Sequence, residues 1–113
     1  MHNFTEINKE LGQTVKSLRD ANPEAFNHFV QFGREAGKDN VLTHKTKELI
    51  SLALGVAARC DGCIGSHMHY LIKAGVTREE VVETLTMAVY MGGGPSMVYA
   101  SYALKAFDEL KGA

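Results

Sequence analysis

The chain has two cysteines, Cys60 and Cys63, three residues apart in the run Cys60-Asp61-Gly62-Cys63-Ile64-Gly65-Ser66-His67. On a helix, residues three and four apart share a face, so this spacing gathers two thiols, with His67 one turn beyond Cys63. Such a cluster suits thiol redox chemistry or half of a metal site. At a helix N-terminus the positive end of the dipole favours the thiolate. An adjacent imidazole can take up or return the proton, and the second thiol can resolve a sulfenic acid as a disulfide. Glu48 stands just before Leu49-Ile50-Ser51-Leu52-Ala53-Leu54, and a carboxylate leading into an apolar helix needs a partner or a role.

A zinc site usually wants four ligands, often from two such cysteine pairs. Here one pair and His67 would need Glu48 or His69 as the fourth, and His69, two residues after His67, points away on a helix. A purely structural disulfide is disfavoured, because so small a loop barely restricts the unfolded chain. The redox reading needs no cofactor and no resident metal. His2, His28 and His44 are expected to face solvent or to be satisfied structural groups. Gly92-Gly93-Gly94 is expected to break a helix, since no strand precedes it and no Lys-Ser/Thr follows it, as phosphate binding would require.

With 113 residues, 45% hydrophobic and 22% charged, the composition is that of one globular domain, residues 1–113, large enough for its own core. The net charge of −1 and scattered Lys and Arg give no support for nucleic-acid or membrane-surface binding. Met1-His2-Asn3-Phe4-Thr5-Glu6 has neither a basic nor an apolar leader region, so no signal peptide is expected. The longest apolar stretch, Leu49 to Ala58, is interrupted by Ser51 and Gly55 and falls short of the about 20 residues that span a membrane. A cytoplasmic location is expected, where a cysteine pair is catalytic or metal-binding rather than a staple.

The elements that must position these residues follow a helical period nearly throughout. Phe4, Ile7, Leu11, Val15 and Leu18 mark an amphipathic helix. Asn22-Pro23 predicts an N-cap and first turn of a helix that carries Phe26, Phe29 and Val30 and stops near Gly37. Thr43 can cap a third helix through Leu49, Leu52, Ala53 and Val56, whose Ala53, Gly55, Ala57 and Ala58 would let another helix approach closely. A fourth begins around the cysteines and ends at Gly75. Thr77-Arg78-Glu79-Glu80 is a capping box opening a fifth through Val81, Val82, Leu85 and Val89, and Pro95 starts a last helix to about Leu110. The expected fold is all-α with five or six helices. Met87, Met91 and Met97 are expected in core or oligomer packing. The many apolar positions predict a homo-oligomer, a trimer or hexamer.

With these residues in place, the chain resembles the carboxymuconolactone decarboxylase superfamily, in its alkylhydroperoxidase D-like branch. The signature is a Glu, eleven residues, then Cys-x-x-Cys-x-x-x-His, matched here by Glu48, Cys60, Cys63 and His67. The likeness continues through Ala74-Gly75-Val76-Thr77-Arg78-Glu79-Glu80 and Gly92-Gly93-Gly94-Pro95-Ser96-Met97. It implies an oligomeric helical bundle that acts as a thiol peroxidase on hydrogen peroxide or small organic peroxides, re-reduced by an external thiol system. It further implies Cys63 as the peroxidatic cysteine and Cys60 as the resolving one, with Glu48 and His67 moving protons. The residues themselves leave that order open, since the helix dipole favours Cys60 and the imidazole lies nearer Cys63. The best-known peroxidase of the family has a histidine immediately before its second cysteine, where this chain has Gly62, and a longer amino end. The namesake decarboxylases generally lack the cysteine pair, and a lactone decarboxylase or a metal-binding oligomer remains the alternative.

Overall fold

Six helices account for the chain in a computed structural model that describes residues 2–112: α1 (Phe4–Ala21), α2 (Pro23–Gly37), α3 (His44–Ala57), α4 (Asp61–Lys73), α5 (Arg78–Gly92) and α6 (Gly94–Lys111). No strand occurs among the described residues. None of the helices is long and apolar enough to cross a membrane.

The helix ends obey local chemistry. The Thr43 hydroxyl accepts from the Thr46 N–H, and Thr77 and Glu80 form both halves of the expected capping box. At the end of α4 the Gly75 N–H donates to the Ile72 carbonyl and the Val76 N–H to the Leu71 carbonyl. With Gly75 at φ +79° this is a Schellman turn, and it buries Val76 in the core. Asn22 stands at the N-cap of α2 with Pro23 at the first helical position, as expected, though it makes no side-chain capping bond. It is also the C-cap of α1, and its N–H closes that helix on the Arg19 carbonyl. Of the glycine triplet only Gly93, at φ +73°, lies outside the helices, and Gly94 and Pro95 already belong to α6.

The core is built around α4, whose Ile64, Met68 and Leu71 are fully buried. It packs against α1, α3 and α6, while α5 closes the far side against α3 and α6. Phe4 from α1 and Leu52 and Val56 from α3 complete one side of the core, and Val81 and Leu85 from α5 the other. On α6 the buried stripe Ala100, Ala103, Ala106 and Phe107 uses small residues at helical spacing, which lets neighbouring backbones come close. The apolar residues of α3 are only half used: Leu52 and Val56 are buried, while Ile50 and Leu54 are exposed, because a helix turns only one face to a core.

The packing of one chain leaves several apolar residues uncovered. The methionines Met87, Met91 and Met97 are exposed and take no part in the core, which leaves the oligomer-packing alternative. Helix α2 buries no residue and leaves Phe29 and Phe32 open to solvent. The cause is topological, since α2 touches only α1 and α3.

The amino end is fastened by a side chain from the other end of the chain. Glu109 on α6 accepts from the Phe4 N–H at 3.2 Å, the Thr5 N–H at 2.8 Å and the Thr5 hydroxyl at 2.9 Å, satisfying donors that the first turn of α1 cannot satisfy itself. The Thr5 N–H foremost, then its hydroxyl, the Phe4 N–H and the Lys105 ammonium hold the Glu109 carboxyl below its ordinary range, against a partial loss of solvation. Glu109→Ala should cost about 1 kcal/mol, as loss of a helix cap does, seen as a lower urea midpoint at pH 7. A carboxyl with a depressed folded pKa stabilises fully above its unfolded value of about 4.3 and loses this as pH falls through the lower folded value. The gap between native protein and Glu109→Ala should therefore narrow in acid.

Candidate active site

The turn between α3 and α4 places the cysteines. Arg59 adopts φ +55°, a left-handed conformation unusual for a side-chain-bearing residue. Its N–H donates to the Val56 carbonyl, and the Cys60 N–H donates to the Gly55 carbonyl. This is a second Schellman turn, and it sets Cys60 as the N-cap of α4. The Cys60 Sγ accepts from the Cys63 N–H at 3.2 Å, taking the place an N-cap oxygen usually fills. Cys60 thus lies just before the helix, not within it, and Cys63 is in the first turn.

The two sulfurs are joined as a disulfide, with Cα atoms 5.2 Å apart. Both residues are half-buried. Gly55 of α3 lies against this turn, and a Cβ built on it would stand 3.1 Å from the Cys63 Cβ. The expected close approach to α4 is seen at Gly55, while Ala53 is half-buried and Ala57 and Ala58 are exposed.

His67 follows Cys63 by one turn of α4, and its Nδ1 lies 2.6 Å from Glu48 Oε2. A contact this short holds one proton between nitrogen and oxygen. It leaves the His67 Nε2 outside that contact. The Glu48 side chain retains 13% of its accessible surface and that of His67 33%, so the couple is sheltered but not sealed. Glu48 thus has the partner its apolar setting demands, supplied by a helix 19 residues away.

Two neighbours were not visible in the sequence as parts of the site. His44 opens α3, and its Nε2 stands 3.9 Å from Glu48 Oε1. Its i,i+4 spacing from Glu48 was the available signal. His2, expected to face solvent or to be a satisfied structural group, is the latter: its Nδ1 lies 3.0 Å from Asp61 Oδ2 and its ring against Phe4 and Tyr102. It thereby brings the amino end onto the residue between the cysteines. Gly62 is covered by Leu11 of α1, whose Cδ2 would lie 3.2 Å from a Cβ at that position. A side chain at this position would require the Leu11 side chain to shift.

His69 is exposed and lies edge-on to Tyr70, away from the Glu48–His67 pair, as its two-residue offset predicts. Among the described residues no three His, Cys, Asp or Glu are gathered as a metal cluster.

Comparison with known proteins agrees with this architecture. The model of the Carboxymuconolactone decarboxylase family matches residues 23–106. An uncharacterised protein of Cupriavidus necator is 40% identical over 95% of this chain and 91% of its own length. The apo structure of a carboxymuconolactone decarboxylase family protein from Legionella pneumophila superimposes with a TM-score of 0.93 at 49% identity, covering 96% of each chain. A Thermotoga maritima protein of the same family, whose name connects it with an antioxidative response, gives a TM-score of 0.74 at 26% identity over 88% of this chain and 91% of its own. A shorter match, 44% identical over 46 residues, joins 41% of this chain to 26% of the alkyl hydroperoxide reductase AhpD of Mycobacteroides abscessus.

Proposed function

The chain belongs to the carboxymuconolactone decarboxylase family, and from that premise we propose that it is a thiol-dependent peroxidase acting on hydrogen peroxide or small organic hydroperoxides. The observation that carries this reading is the Cys60–Cys63 disulfide at the start of α4, with the His67–Glu48 couple one turn further along. The local match to an alkyl hydroperoxide reductase supports the same chemistry.

In the reduced protein His67, held by Glu48, accepts the Cys63 proton. The thiolate attacks the terminal peroxide oxygen, the O–O bond breaks, and the departing alkoxide takes that proton and leaves as the alcohol. Cys63 is now a sulfenic acid. Cys60 attacks its sulfur, water leaves, and the disulfide forms again. An external dithiol, of the kind a reducing cytoplasm supplies, provides the two electrons that restore both thiols. The capping bond from the Cys63 N–H favours thiolate at Cys60, whereas proton transfer to His67 favours Cys63. In this reading the second effect decides.

The exposed Phe29, Phe32, Tyr90 and Met91 support assembly as a homo-oligomer, a trimer or hexamer. Large apolar side chains left open by one chain are the kind of surface that assembly covers.

Peroxide consumption with excess dithiol tests the assignment. Cys63→Ser should abolish turnover, while Cys60→Ser should react once and stop as a sulfenic acid or mixed disulfide. The opposite pattern would exchange the two roles. Glu48→Gln keeps the shape but cannot carry a proton, so turnover should fall about 100- to 10,000-fold, the usual contribution of general acid–base catalysis. A folded Glu48→Gln protein at native rate would reduce Glu48 to a structural residue. Light scattering at micromolar concentration should show a mass of three or six chains, and a monomer would remove the assembly claim.

A further inference from the structure

Glu48 touches a second imidazole, and the arrangement around it has a direction. His44 Nδ1 lies 2.7 Å from the Gly37 carbonyl. A carbonyl only accepts, so Nδ1 carries the hydrogen and the neutral ring turns the lone pair of Nε2 towards Glu48 Oε1. The His44 backbone N–H donates to Asp39 Oδ1 at 2.6 Å, which holds the main chain at the start of α3. The ring is held at Nδ1 by the Gly37 carbonyl, in the tautomer whose Nε2 can take a proton from the carboxyl.

His44 and Glu48 also line a cleft of about 550 Å³ bounded by α1, α2 and α4. The charged and titratable groups facing it are Arg19 from α1, Arg34 from α2, Lys38 after α2 and Tyr70 from α4. The His44 side chain keeps 43% of its accessible surface, against 13% for Glu48. Glu48 is thus the most buried of the three, with His67 on one side of it and His44, the most exposed, on the other beside the open cleft.

We propose that His44 is the outer member of a His67–Glu48–His44 relay, a positioning residue that acts through Glu48 and exchanges its proton with solvent in this cleft. The proposal rests on the peroxidase reading. In that cycle the proton leaves Cys63 before attack and returns to the alkoxide afterwards, so none is consumed and it must be held in between. Glu48 between two imidazoles is a store for it. At 3.9 Å the His44–Glu48 pair is longer than a hydrogen bond, so transfer needs a small turn of the carboxyl.

The test compares native protein, His44→Gln and His44→Ala in peroxide turnover with excess dithiol across pH 5 to 8.5, with circular dichroism to check folding. Turnover in His44→Gln should fall about 10- to 100-fold, at or below the lower end of direct acid–base catalysis. The loss should change with pH, and added imidazole, small enough for the cleft, should restore part of the rate to His44→Ala. Native rate and pH profile in both variants would overturn the proposal. A loss equal at every pH and not rescued by imidazole would also overturn it, by making His44 merely structural. Should His44→Ala not fold, the pH profile of His44→Gln decides. If native protein consumes no peroxide, the peroxidase reading fails separately. The relay is then read from iodoacetamide alkylation of the reduced cysteines against pH: a displaced profile in His44→Gln supports it, and an unchanged one overturns it.

Discussion

The site depends on the close approach of α3 and α4 at Gly55. Without a side chain there, the first turn of α4 lies directly on the α3 backbone, and a Cβ would already press on Cys63. That approach also decides how far apart the residues further along the two helices stand. Glu48 and His67, two turns and one turn from this point, come to 2.6 Å. Pushing the helices apart by even a methyl group is felt in a close-packed interior. The disulfide, its capping bond and the imidazole–carboxylate couple are therefore consequences of one packing contact.

The turn that joins the two helices reinforces this contact. Arg59 accepts a left-handed backbone where glycine would be easier, and the resulting hydrogen bonds to Gly55 and Val56 hold Cys60 at the helix start. Both sulfurs then lie at the positive end of α4, with Asp61 and its partner His2 beside them. The amino end is brought there by a longer route. Glu109 fastens the start of α1, and the Lys105 ammonium donates to the His2 carbonyl. The last helix thus supports one flank of the cysteine turn, and Leu11 of α1 covers Gly62 on another.

The outer surface follows a different logic. Helix α2 lies against only α1 and α3, so its aromatic residues have nothing to cover them within one chain. The same is true of Tyr90, Met91 and Met97 around the α5–α6 break. On its inner side α2 borders the cleft over Glu48 and His44, to which Gly33 and Gly37 present bare backbone. The helix that contributes least to the core therefore contributes most to the wall of this cleft.

Helix positions, caps and the cysteine–histidine spacing were legible in the sequence because each is set within a few residues. A capping box, a proline at a first turn or a one-turn offset on α4 needs no distant partner. Glu48, Cys60, Cys63 and His67 could be singled out for the same reason, and their spacing carried the family resemblance. What lay beyond local rules was which groups face one another across helices. His44 meeting Glu48 is a one-turn spacing, yet only the fold shows that the pair opens into a cleft. His2 on Asp61, Leu11 over Gly62 and Glu109 capping α1 join residues 51 to 105 positions apart. The exposure of α2 and of the methionines was likewise undecided, because periodicity shows that a helix has an apolar face but not what lies opposite it. Local hydrogen bonding and side-chain period determined the elements and the reactive residues. Only packing between helices determined their partners, because burial and contact depend on the whole surface that each helix meets.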